Sequence, residues 1–309
     1  MKVLIVHSGN AVGGNSNRYT FVREQGESLR ALGIEVKYFA VVGKGAKGYI
    51  SNYGRLKKAI ADFQPNLIHA HFGLCGALSV MQSKVPVVIT CHNGETLSWY
   101  GNIITSLAIQ HAAHTICVAQ HIYDKLYLKP NRYTIKPCGI EITDVVEKTA
   151  AQQAMNLPKD KINILFGGSF SNLRKNVALA NAALEILHRD DINLIEMKGF
   201  SREQVTLLYN ACDMLLLPTK SEGSPQVLKE AMAYNCPIVA TDVADIAYLL
   251  DGVSNSYVTT FAPADVADKI QRVIASGERT NGRERIMQLQ LTNKEVAKTI
   301  KTIYESVLQ

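Results

Sequence analysis

The sequence predicts an α/β protein built from two doubly wound domains in tandem. Three observations predict it. Short apolar runs alternate with helical patterns along the whole chain, and 309 residues suffice for two domains of ordinary size. The alternation also breaks once, from Cys138 to about Ala150, which places the linker there.

Residues 3–7 read as the first strand. A helix follows over 18–32, with Phe21, Val22, Leu29 and Leu32 on its apolar face and Gly33 as its stop. A strand over 34–39 and a helix over 53–63 come next. Strands over 67–70, 87–90 and 115–119 follow, then a helix over 120–127 and a strand over 134–136. His111 and His114 read as helical neighbours. The second series opens with a strand over 162–167 and a helix over 176–187. Strands over 193–197, 214–217 and 238–241 continue it. A helix over 294–308 closes the chain, with Val296, Ile300, Ile303, Tyr304 and Val307 on one face. In such sheets ligands bind beyond the carboxyl ends of the strands, so a two-domain version is expected to hold its site in the cleft between them.

A hydrophobic content of 47% with 19% charged residues fits a globular chain. No apolar run approaches the ~18 residues that span a bilayer. The start, Met1 to His7, reads as a strand rather than a leader, so a cytoplasmic location is expected. The six cysteines form no C-x-x-C pair and read as buried free thiols. Residues 1–150 hold 16 Lys and Arg against nine Asp and Glu, whereas residues 151–309 hold 17 against 18. The net charge of +6 therefore belongs to the first half. Lys44, Lys47, Arg55, Lys57 and Lys58 concentrate it. That segment is either a solvated helix face or a patch for anionic lipid headgroups or a phosphate-bearing acceptor. No nucleic-acid motif accompanies it.

The most informative string is Ser221-Glu222-Gly223-Ser224-Pro225-Gln226-Val227-Leu228-Lys229-Glu230-Ala231-Met232-Ala233. Met214 to Leu217 ahead of it reads as a strand buried on both faces. Ser224 suits the N-cap and Pro225 the first helical position, leaving the N–H groups of Gln226 and Val227 to face an anion. Glu222 precedes the helix and Glu230 lies inside it, about 9 Å along the axis from Ser224. One carboxylate at each end with a positive helix terminus between them suits ribose, diphosphate and hexose. Ile164 to Phe170 is a strand ending in Gly167-Gly168, with Arg174 and Lys175 soon after, a backbone that a diphosphate can approach closely.

These residues resemble the E-x7-E region of glycosyltransferase family 4, in the GT-B fold class, and the continuation Pro237-Ile238-Val239-Ala240-Thr241 matches too. The resemblance runs through most of the chain. It implies two Rossmann-like domains facing across a cleft, 1–145 on the acceptor side and 146–309 binding the nucleotide sugar, with the helix over 294–308 packing back on the first. By resemblance, Gly13 and Gly14 belong to a Gly-rich first loop that reaches the donor diphosphate. Gly168, Lys175 and Asn176 match the phosphate-holding segment. The family's Arg is replaced there by Ser169, with Arg174 the nearest substitute. Gly199 and Phe200 lie in the loop set against the nucleotide base. Gly223, Ser224, Gln226, Val227 and Glu230 complete the donor site. His69 and His71 match a structural His-x-His string, and His92 a Thr-x-His segment, with Asn93 inserted before Gly94, whose histidine faces the transferred sugar. The catalytic set implied is His92, Glu222 and Lys175.

The resemblance implies a retaining transferase that moves a hexose from a nucleotide-diphosphate sugar to a glycan or lipid-linked acceptor in polysaccharide biosynthesis. No cofactor or metal is expected. No Asp-x-Asp of the metal-dependent class occurs in the sequence. The protein is expected in the cytoplasm, peripheral at the inner membrane face. Two other readings stay open: a sugar-nucleotide epimerase on the same fold, and a non-catalytic nucleotide-binding partner subunit, for which the Arg missing at Ser169 speaks. A glycogen-type phosphorylase would need a pyridoxal lysine and far more chain.

Overall fold

The computed structural model describes residues 1–9 and 20–309, so Gly13 and Gly14 lie outside the described residues. The chain divides into two compact units, Met1–Gly139 with Asn293–Gln309, and Ile140–Thr292.

The first unit runs β1 (Lys2–Ser8), α1 (Thr20–Ala31), β2 (Glu35–Val41), α2 (Gly45–Ile50), α3 (Tyr53–Phe63), β3 (Leu67–His71), α4 (Gly73–Val80), β4 (Val87–Cys91), α5 (Trp99–Gln110), β5 (His114–Cys117), α6 (Gln120–Lys125) and β6 (Tyr133–Ile135). Its six strands form one sheet in the order β2-β1-β3-β4-β5-β6, and every pairing is parallel. Ile5 stands opposite Tyr38 on one side and His69 on the other. Val3 to Val6 are fully buried, as both-face burial of a parallel sheet requires. Leu56 of α3, Leu78 of α4, Ile109 of α5 and Ile122 of α6 share one core cluster, so these helices cover the same face of the sheet.

Gly33 ends the first helix at φ +80°, a left-handed position that costs glycine little. The helix expected over 120–127 stops at Lys125, because the Lys129 ammonium donates to the carbonyls of Tyr123, Asp124 and Leu126 at 2.7, 2.8 and 3.1 Å. His111 and His114 do not share a helix. His111 caps α5, and His114 opens β5, its Nε2 2.9 Å from Thr134 Oγ1.

The second unit runs α7 (Lys148–Ala154), β7 (Ile162–Phe166), α8 (Val177–Leu187), β8 (Ile192–Glu196), α9 (Arg202–Ala211), β9 (Met214–Leu217), α10 (Gln226–Ala233), β10 (Ile238–Thr241), α11 (Ile246–Leu250), β11 (Tyr257–Thr259), α12 (Pro263–Ser276) and α13 (Gly282–Gln288). The sheet order is β11-β10-β9-β7-β8, again all parallel. All four residues of β9 are fully buried, while β8, at the sheet edge, is only half-buried. Residues 140–145 go with this unit through a bridge between Ile140 and Thr292. Five cysteines are buried and Cys138 is half-buried; all six are free thiols.

The last helix, α14 (Asn293–Leu308), belongs to the first unit and packs on α1. Its anchor is Tyr304, whose hydroxyl lies 2.5 Å from His69 Nδ1, while His69 Nε2 lies 2.7 Å from Thr90 Oγ1. Burial drives the His69 pKa down to about 3, and burial next to other histidines lowers His71 well below its ordinary value. Both rings are therefore neutral in the fold.

This gives the pH dependence a sign. The unfolded chain protonates these rings as pH falls through 6.5, and the folded chain does not until about 3 for His69. Stability is thus full above pH 6.5 and falls below it, by up to about 1.4 kcal/mol per pH unit for each histidine. Urea unfolding at pH 7 and pH 5 should show this loss, and His71→Gln should reduce the slope. A stability equal at both pH values would contradict it.

Candidate functional site

The site in the second unit is assembled at the carboxyl ends of β7, β8 and β9 and the amino terminus of α10. β7 ends at Phe166, and Gly167 and Gly168 turn the chain there, Gly168 N donating to Phe166 O at 2.7 Å. A Cβ on Gly167 would meet Leu217 Cδ1 at 2.7 Å and Val227 Cγ2 at 3.5 Å, so glycine lets the strand end touch the first turn of α10. A Cβ on Gly168 would meet Lys175 Cγ at 2.8 Å; the lysine stem lies across this bare backbone. Lys175 ends a 3-10 turn, Leu173–Lys175, one residue earlier than a helix start, and Asn176 at φ +61° leads into α8.

The buried Lys175 ammonium donates to Glu222 Oε1 at 2.8 Å, and Thr219 Oγ1 donates to the same oxygen at 3.0 Å. Arg174 lies 3.6 Å from Glu222 Oε2 and 3.4 Å from the Ser221 carbonyl. Lys220 N donates to the Arg174 carbonyl at 2.9 Å, and Thr219 Oγ1 lies 3.2 Å from that carbonyl. Glu222, Lys175 and Arg174 are thus one charged cluster. Ser169 is engaged elsewhere: its hydroxyl and the Phe170 N–H both donate to Glu196 Oε1, at 2.6 and 2.7 Å, and these bonds hold the Glu196 pKa below its ordinary value.

The helix start differs from expectation. Pro225, at ψ 117°, is the N-cap and Gln226 the first helical residue, so Ser224 makes no cap hydrogen bond. Proline's fixed φ allows this extended position, and its carbonyl accepts the first helical bond from Lys229 N at 3.3 Å. The hydroxyl of Ser224 instead lies beside Asp245, and neither it nor the two carboxylate oxygens has a hydrogen bond of ordinary geometry. Burial raises the Asp245 pKa, against the pull of Ser224 and of the fully buried Lys229. Gln226, Val227 and Gly223 are half-buried around the terminus. The N–H groups of a helix's first turn lack intrahelical partners, which gives such a terminus partial positive charge.

Glu230 is held inside the unit. Its Oε1 accepts from Arg202 at 2.6 Å and its Oε2 from the Tyr209 hydroxyl at 2.9 Å. Each oxygen keeps a second lone pair for a ligand hydroxyl. Arg202 follows the turn in which Gly199 takes φ +82° and Phe200 is half-buried, so this loop and Glu230 meet at one place. Thr219, Arg202, Tyr209 and Asp245 carry no local motif, and only tertiary contact reveals them.

In the first unit, His92 follows β4 and is stacked on His71, with their ring centroids 5.4 Å apart and His71 Nδ1 3.1 Å from His92 Nε2. Gln25 Nε2 lies 3.4 Å from His71 Nε2, and Cys138 Sγ 4.0 Å from His92 Nδ1. With Gln25 donating, neutral His71 carries its proton on Nδ1 and donates it to His92 Nε2. The rings of Phe21 and Phe72 complete the packing, 5.0 and 4.5 Å from that of His92. His69 and His71 are bonded to Tyr, Thr, Gln and His rather than arranged as a metal pair. Lys44, Lys47, Arg55, Lys57 and Lys58 are all exposed.

Removing Glu222 leaves Lys175 buried without its counter-charge. Glu222→Ala should cost about 3 kcal/mol in urea unfolding, and adding Lys175→Met should recover most of the loss. Additive losses in the double variant would show that the pair is not coupled.

The chain matches the profile of Glycosyltransferase Family 4 over residues 19–144 and that of Glycosyl transferases group 1 over residues 150–276. An uncharacterised glycosyltransferase of Methanocaldococcus jannaschii is 25% identical over 260 residues, 74% of this chain and 72% of its own length. A Bacillus subtilis protein assigned a glycosyltransferase role in teichuronic acid biosynthesis (TuaC) is 25% identical over 219 residues, 61% of this chain and 56% of its own. Among solved structures, sucrose-phosphate synthase of Thermosynechococcus elongatus superposes with a TM-score of 0.83 at 17% identity, covering 99% of this chain and 98% of that one. Anabaena HepE, in complex with UDP and glucose, does so at 0.76 and 14%, covering 99% and 100%. The two profiles, the related sequences and the two parallel-sheet units together show that the chain belongs to the family 4 glycosyltransferases of the GT-B fold.

Proposed function

We propose that the chain is a retaining, metal-independent hexosyltransferase that uses a nucleotide-diphosphate sugar and a glycan or lipid-linked acceptor in polysaccharide biosynthesis. The observation that carries this reading is the cluster of Lys175, Arg174 and Glu222 beside the amino terminus of α10, over the bare backbone of Gly168. HepE, a structural neighbour solved with UDP and glucose, lends support for the donor class.

In the proposed chemistry the bond between sugar C1 and the diphosphate oxygen breaks, and its electron pair leaves with the diphosphate. Lys175, Arg174 and the α10 terminus stabilise that growing charge, in the place a metal ion would otherwise take. Glu222, released from Lys175 as the phosphates bind, accepts hydrogen bonds from sugar hydroxyls. Glu230, held by Arg202 and Tyr209, accepts from the ribose hydroxyls, and the 199–200 turn lies against the base. In the first unit, Gly13, Gly14 and His92 are the residues we assign to the diphosphate and the transferred sugar. The acceptor attacks the face that the diphosphate leaves, and its proton passes to the departing phosphate. The exposed basic set from Lys44 to Lys58 suits an anionic membrane surface, and we place the protein at the cytoplasmic face of one.

A thermal-shift panel of nucleoside diphosphates and their sugars tests the donor site. At a ligand concentration 100 times the Kd, binding adds about 2.7 kcal/mol to stability. One base should raise the melting temperature in the wild type but not in Lys175→Ala. Slow hydrolysis of the matching nucleotide sugar should also be lost in Lys175→Ala. A wild type that binds no nucleotide diphosphate, or binds the sugar form and never turns it over with any acceptor, would overturn the reading.

A further inference from the structure

Helix α5 is inside out. Its inner side, which packs on α4, buries Gly101, Asn102, Thr105, Ser106, Ala108 and Ile109, mostly small or polar. Its solvent side shows Trp99, Tyr100, Ile103 and Leu107, with Trp99 70% and Leu107 55% exposed. Positions 99, 103 and 107 repeat every fourth residue and so form one stripe along the helix. Not one charged residue lies between Trp99 and Gln110. A helix facing water carries the opposite pattern, with its large apolar residues turned to the core.

The surroundings of the stripe say what covers it. The segment after α6 runs beside α5: Tyr127 N donates to Asn102 Oδ1 at 3.2 Å and to Ser106 Oγ at 3.1 Å. Asn102 and Gln110 donate back to the carbonyls of Lys125 and Lys129, at 2.7 and 2.9 Å. This segment adds two more exposed apolar side chains, Tyr127 and Leu128, flanked by exposed Lys125 and Lys129. Helices α2 and α3, which carry Lys47, Arg55, Lys57 and Lys58, with Lys44 capping α2, cover the same face of the sheet as α5. The unit as a whole holds 18 Lys and Arg against eight Asp and Glu, a balance of +10, whereas the other holds 15 against 19. Apolar side chains with Trp and Tyr among them, on a strongly basic body, complement a bilayer with anionic headgroups. A second copy of the same chain would bring like charge against like.

We infer that α5 is an interfacial membrane anchor: Trp99, Ile103 and Leu107 enter the boundary between headgroups and acyl chains, while the exposed Lys125 meets anionic headgroups. This deepens the peripheral placement proposed above and rests on it. The chemistry proposed for the sheet-end site plays no part in it. No helix among the described residues is long and apolar enough to cross the membrane, so the contact is with one leaflet.

Trp99 is the sole tryptophan of the chain, so its fluorescence reports this helix alone. The full chain is mixed with vesicles of equal parts phosphatidylglycerol and phosphatidylcholine. The expected result is co-sedimentation, a blue shift of Trp99 emission, and quenching by brominated acyl chains. Leu107→Glu and Ile103→Ser, both at exposed positions, should each weaken binding by roughly tenfold while leaving the melting temperature and the nucleotide-induced thermal shift unchanged. Co-sedimentation with no Trp99 shift would overturn the anchor and leave the basic patch as the membrane contact. No co-sedimentation would overturn both. A Trp99 shift that grows with protein concentration in the absence of lipid would overturn the anchor in favour of self-association.

Discussion

Lys175 and Glu222 are 47 residues apart in the chain and 2.8 Å apart in the fold, and the second unit's site is arranged around that contact. A buried ammonium needs a counter-charge, and a buried carboxylate needs donors. Thr219 supplies one such donor, and Arg174 stands on the far oxygen. The lysine lies flat only because Gly168 has no side chain. The pair therefore fixes the turn after β7 and the loop after β9 to each other. It also stores positive charge next to the α10 terminus, in a form that the diphosphate of the proposed donor would compete for.

The first unit shows the same economy with neutral groups. His69 joins the last helix to β4 through Tyr304 and Thr90, and His71 sets the ring of His92 through one short contact. Burial keeps His69 and His71 uncharged, so the chain of rings is held by hydrogen bonds and stacking rather than by ion pairs. His92 has a neighbour at each nitrogen, the His71 ring at Nε2 and the Cys138 thiol at Nδ1, which orients its ring.

The strands were legible because parallel sheets bury both faces, and Val3 to Val6 or Met214 to Leu217 show this as unbroken apolar runs. The candidate donor motif was legible because Glu222 to Glu230 lie on one continuous loop and helix. What could not be read is tertiary. Nothing near Glu230 announces Arg202 or Tyr209, and nothing near Ser224 announces Asp245. The N-cap moved by one residue because Ser-Pro satisfies either register, and the backbone chose the extended proline. Helix α5 escaped notice for a physical reason: with its apolar residues outward and small ones inward, it lacks the periodicity that marks a core-facing helix. The feature that hid it from the sequence is the one on which the proposed membrane anchor rests.

Hydrogen exchange of the full chain, read peptide by peptide with and without each nucleoside diphosphate, tests the central assignment most directly. With the nucleotide that binds, the account predicts protection in the second unit at 167–175 and 222–230, with the 199–204 turn joining for the base. Protection that leaves 167–175 and 222–230 unchanged, or exchange unaltered by every nucleotide, would contradict it.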